Sequence, residues 1–158
     1  MLLSTRTELK RCLFDLREDI LEDMDFERAL RQTLRPVMGD SRLRIRFRVA
    51  RSSMDDSLAH AVLSIVRELV SNAVRHGRAT SVTVAGTLEH SIDTPCGGNR
   101  IVFSVRDDGI GFDPAACVGP SEGHFGLTGI RDRIDRADGE FILKSDKTGT
   151  YAHIALPL

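Results

Sequence analysis

The stretch Arg67–Gly77, RELVSNAVRHG, decides how the chain is read. Leu69, Val70, Ala73 and Val74 give a helix an apolar side to bury, while Glu68 and Asn72 are spaced i,i+4 and so stand above one another on one face. Arg75 and His76 follow at once. An exposed polar stripe is the ordinary explanation for any single pair at this spacing; a ligand is the alternative, and the rest of the chain must choose. The inward set extends back through Leu58, Val62, Ile65 and Val66, which predicts one long helix between a cap at Asp55 or Asp56 and a stop at Gly77.

Working outward, Leu43, Ile45, Phe47 and Val49 alternate with Arg42, Arg44, Arg46 and Arg48, the period of a half-buried strand with a basic outer face. No aromatics interleave with these arginines for base stacking, so the face reads as solvated rather than as a nucleic-acid stripe. Before it, Phe26, Ala29, Leu30 and Leu34 predict a helix with Asp25 as N-cap and Pro36 and Gly39 closing it. Leu9, Leu13, Leu16 and Ile20 follow the rhythm of a helix that packs on a partner helix. After it, Val82 and Val84 suggest a strand to about Leu88, His90–Asn99 a loop, and Ile101, Phe103 and Val105 another strand. Leu127, Ile130, Ile134 and Ala137 resume helical spacing, and two short strands, 140–145 and 150–156, are joined by a DKTG turn. The order predicts an α+β fold, a two-layer sandwich of helices on one mostly antiparallel, mixed sheet.

Composition bounds the function. The 158 residues are one domain with a short appendage, and 41% hydrophobic content suffices for a core. Basic and acidic residues, 22 and 23, nearly cancel, so no overall field recruits nucleic acid or an anionic membrane, and any phosphate chemistry is local. No signal-peptide core and no apolar run of membrane-spanning length is present in the sequence, which predicts a cytoplasmic location for this part of the protein, without direct membrane contact. Cys12, Cys96 and Cys117 fit neither a disulfide framework nor a CxxC site and read as reduced thiols.

Two glycine-bearing segments carry further chemistry. In VRDDGIG a strand ends at Asp107 and Asp108, with Gly109 and Gly111 allowing a turn and the close approach of a flat ligand. A carboxylate there can accept a hydrogen bond from an exocyclic amine. Later, Gly123, Gly126 and Gly129 flank His124, Phe125 and Leu127 where a loop enters a helix, whose first N–H groups favour phosphate.

Taken in order, these segments resemble the boxes of the ATP-binding domain shared by sensor histidine kinases, DNA gyrase, the heat-shock chaperone ATPase and the mismatch-repair ATPase, the Bergerat-type fold. ELVSNAVRHG at 68–77 is similar to the N box, DDGIG at 107–111 to the first glycine box, GHFGLTG at 123–129 to the second, and Gly149-Thr150 to the terminal Gly-Thr. The wording NAVRHGRA, DDGIGFDP and GHFGLTGIRDRI is closer still to the nitrate-sensor and thermosensor kinase branch. The resemblance covers about 40–158 as a catalytic ATP-binding domain, with 1–38 as the helical end of a dimerisation and phosphotransfer domain.

The resemblance implies ATP and Mg²⁺ as ligands. Asn72 would coordinate the metal, Glu68 act as general base, and Arg75 and His76 face the phosphates. Asp107 would take the adenine amine, with Gly109 and Gly111 making room. Gly123, His124, Gly126 and Leu127 would form the phosphate cradle of a lid running from about Pro114 to Phe125, and Thr150 would complete the nucleotide site. None of the five histidines suits a phosphoacceptor, so the acceptor is expected outside this chain, upstream or on another protein. A response regulator and a homodimeric full-length protein are the expected partners. An anti-sigma-factor-type serine kinase and a nucleotide-responsive pseudokinase module are the competing readings.

Overall fold

The structure, a computed structural model, describes residues 25–92, 98–113 and 125–158. These form helices α1 (Phe26–Met38), α2 (Asp56–Arg75) and α3 (Phe125–Arg136), and strands β1 (Arg42–Arg48), β2 (Ser81–Ser91), β3 (Gly98–Asp107), β4 (Glu140–Asp146) and β5 (Gly149–Pro157). The strands make one mixed sheet in the order β1-β2-β3-β5-β4. Only β1 and β2 run parallel; α2 is the crossover that a parallel pair requires. The fold is the expected layer of helices on one sheet.

The period-two pattern of β1 does what it predicts. Ile45 and Phe47 are buried against the helices, and the four arginines are exposed on an edge strand, where charge discourages pairing with another chain. Inside, the rings of Phe26 and Phe47 lie 5.0 Å apart and those of Phe47 and Phe103 6.4 Å apart, so α1, β1 and β3 meet through aromatics. Leu30 and Leu34 of α1 are fully buried in the same cluster as Val62, Ile65 and Val66 of α2. Helix α1 therefore shares its core with the sheet that follows it. The stripe Leu9–Ile20 lies outside the described residues.

Local signals hold with a few differences. Asp55 caps α2, its carboxylate accepting from Leu58 N at 2.7 Å. Asp25 occupies the N-cap position of α1 but makes no side-chain capping bond, and Pro36 sits inside the last turn of α1 instead of ending it. The loop expected over His90–Asn99 is shorter, because the β2–β3 ladder continues through His90 and Asn99, whose side chains lie 2.8 Å apart, to Ser91 opposite Gly98. Polar side chains hid that pairing, since His90 and Asn99 lie exposed at the far end of the hairpin.

Candidate nucleotide site

Helix α2 places Glu68 and Asn72 on its half-buried flank, where α3 begins. Gly126 stands against both: a Cβ there would overlap Glu68 Oε1 and come within 3.3 Å of Asn72 Nδ2. Glycine at 126 is what lets the first turn of α3, with its unsatisfied N–H groups, close onto these two side chains. The N box and the described part of the second glycine box are thus in contact.

The end of β3 forms the other half. Asp107 Oδ1 accepts from Gly109 N at 2.8 Å and from Thr150 N at 3.2 Å. The hydrogen bonds described to this carboxylate use the same oxygen, leaving Oδ2 as an acceptor for a ligand donor. Burial raises the Asp107 carboxyl above the usual range; the two backbone N–H groups act in the opposite direction, and neighbouring Asp108 adds to the rise. Gly111 has φ +66°, and a Cβ on it would overlap the Asp146 carbonyl oxygen, so the turn fits only a glycine there.

The two halves are joined by backbone. Ile110 N donates to Gly77 O at 2.8 Å, which ties the glycine turn to the stop of α2. Thr150 Oγ1 lies 2.8 Å from Ser145 Oγ, and Ser145 Oγ accepts from Phe112 N at 2.9 Å, tying the same turn to β4 and β5. All four boxes therefore converge on one end of the sheet, through Glu68, Asn72, Gly77, Asp107, Gly109, Gly111, Gly126 and Thr150.

Other expected site residues have no described side-chain bond within this cluster. Arg75 and His76 are exposed at the C-terminal end of α2, without a described side-chain bond to the rest of the site. Leu127, in the first turn of α3, is half-buried and packs its side chain on the core. Gly123, His124 and the lid from Pro114 to His124 lie outside the described residues. Asp108 was named in the glycine turn but given no role, and Ser145 escaped the sequence reading. Ser145 carries no motif, and only the β4–β5 register, which pairs it with Thr150, reveals it.

Residues 58–158 match the family of histidine kinase-, DNA gyrase B-, and HSP90-like ATPases. The chain belongs to this family, and its fold is that of the family's ATP-binding domain. It is 31% identical over 159 residues to sensor histidine kinase NarS of Mycobacterium tuberculosis, a match covering 98% of this chain and 35% of the relative. It is 30% identical to the nitrate/nitrite sensor protein NarQ of Escherichia coli, over 82% of this chain and 21% of that one. The chain thus spans less than two fifths of the length of the curated relatives it matches. In fold it is similar to the histidine kinase domain of the blue-light activated histidine kinase of Erythrobacter litoralis, with TM-score 0.61 and 21% identity over 85% of this chain and 62% of that chain. No described helix is long and apolar enough to cross a membrane.

Proposed function

We propose that this chain is the catalytic ATP-binding domain of a two-component sensor histidine kinase, donating the γ-phosphoryl of ATP to a histidine outside the chain for relay to a response regulator. The observation that carries the reading is the pairing of two half-sites at one sheet end: a half-buried carboxylate with a free oxygen, and a carboxylate–carboxamide pair beneath a helix entrance. Asp107 Oδ2 accepts the purine amine, and the turn at Gly109 and Gly111 admits the ring. The first-turn N–H groups around Gly126 and Leu127 receive phosphate oxygens, joined by Gly123 and His124 in the lid, and Arg75 and His76 reach in from the end of α2. Thr150 holds Asp107 in place through its N–H.

The Asn72 carboxamide oxygen suits Mg²⁺, a hard ion satisfied by one or two protein oxygens together with phosphates and waters. When bound, the ion supplies charge neutralisation for phosphoryl transfer. Among the described residues no three His, Cys, Asp or Glu side chains gather to hold an ion, so phosphate oxygens are needed to complete the set. Glu68, one turn from Asn72, accepts the proton of the attacking group. The residues before α1 we assign to the end of a dimerisation and phosphotransfer domain, while α1, expected from the sequence to belong with them, goes with the ATP-binding domain whose core it shares; the whole protein we assign to a homodimer whose kinase part is cytoplasmic.

The test is transfer itself. The chain is incubated with Mg-ATP labelled at the γ-phosphate and a helical polypeptide bearing an acidic-flanked histidine. An acid-labile, alkali-stable label is expected, and Glu68→Gln should slow its appearance by about 10²–10⁴-fold while ATP affinity stays within about twofold. Label on serine, or full activity in Glu68→Gln, would refute the reading.

A further inference from the structure

Consecutive carboxylates at the end of β3 diverge. That of Asp107 turns toward β5, whereas that of Asp108 turns toward the start of β2, where Oδ1 accepts from Thr80 N at 2.8 Å and Ser81 N at 2.9 Å and Oδ2 accepts from Thr80 Oγ1 at 2.6 Å. Asp108 N in turn donates to Ser81 O at 3.3 Å. Thr80 is itself held from the other side, its carbonyl accepting from Arg42 N at 2.9 Å. The segment Gly77–Thr80 is the short exit of α2, so Asp108 clamps that exit to the glycine turn a few residues from where Ile110 N meets Gly77 O.

We propose that Asp108 is a positioning residue: by fixing the α2 exit against the glycine turn it sets the spacing between the phosphate half of the site and the purine half. The inference rests on the nucleotide-site reading above and adds a residue to it. Asp108 does not point at the ligand; it acts through the loop it holds. Three donors converge on one carboxylate, and the strongest of them, the Thr80 hydroxyl, pulls the carboxyl below the usual range.

A positioning role between the halves makes a selective prediction. A ligand that engages only the purine half is insensitive to their spacing, whereas one that spans both depends on it. Binding of adenosine and of a Mg-bound non-hydrolysable ATP analogue is therefore compared in wild-type chain, Asp108→Ala and Asp108→Asn. Asp108→Ala should weaken the analogue about tenfold and adenosine less than about threefold. Asp108→Asn keeps an oxygen for both backbone N–H groups, and should bind the analogue within about threefold of wild type.

Equal losses for both ligands in Asp108→Ala, or no loss for the analogue, would overturn the proposal. So would Asp108→Asn as impaired as Asp108→Ala. Should Asp108→Ala fail to fold, Thr80→Val, which deletes only the hydroxyl bond, carries the same comparison: a selective loss of about threefold supports the proposal, and an equal or absent loss overturns it. A wild-type chain that binds neither ligand refutes the site reading and this inference with it.

Discussion

Asp107 carries two demands that oppose one another. Its oxygen must stay ionised to meet a ligand donor, yet burial disfavours that charge in the free protein. A carboxyl whose folded value is raised favours folding while protonated; that stability is complete below the unfolded value near 3.8 and is lost as pH rises through the folded value. Asp107→Asn should therefore melt higher than wild type at pH 7, and the difference should vanish on acidification. Its amide oxygen still accepts from Gly109 and Thr150, which turns the amide NH₂ toward the purine, donor against donor. Calorimetry should show Mg-ATP binding weakened by about 1–3 kcal/mol. Gly126 shows the same trade. A methyl there meets only side-chain ends, those of Glu68 and Asn72, and adds helix propensity, so Gly126→Ala should hold or raise stability while slowing phosphotransfer about tenfold or more. A Gly126→Ala enzyme with full transfer would separate Glu68 from the chemistry.

Elements were legible where burial imposes a period. The alternation of Arg42–Val49 and the helical spacing of Leu58–Val74 each have one face against the core, and the core fixes the phase. Helix α1 was legible as a helix, but its membership of the sheet's core was not, because sequence spacing gives the apolar side and not what covers it. Leu30 lies fully buried there, so Leu30→Ala should cost about 2–5 kcal/mol in denaturant unfolding and leave one transition for the described domain. A cost near zero would mean that α1 does not share that core. The roles of Asp108 and Ser145 were illegible for a related reason. Their partners, Thr80 and Phe112, lie 28 and 33 residues away, and no local pattern encodes a bond that the sheet register creates. The far end of the β2–β3 hairpin was missed in the same way, since exposed strand positions impose no apolar period.

At the scale of the molecule, an open sheet covered on one side by three helices gathers residues spread over positions 68–150 at one end. The glycines of the boxes were readable as motifs because close approach demands them; the stitches holding the boxes together were not, being ordinary backbone bonds. If the gathered residues form one site, a single ligand must report on all of them. The most direct measurement is amide chemical-shift mapping of the chain titrated with Mg-ATP. Signals of Asn72, Gly77, Gly109, Gly111, Gly126 and Thr150 should move together along one binding isotherm with a single dissociation constant. Movement of the Asn72 and Gly126 signals without that of Gly109 and Gly111, or two distinct isotherms, would contradict the account.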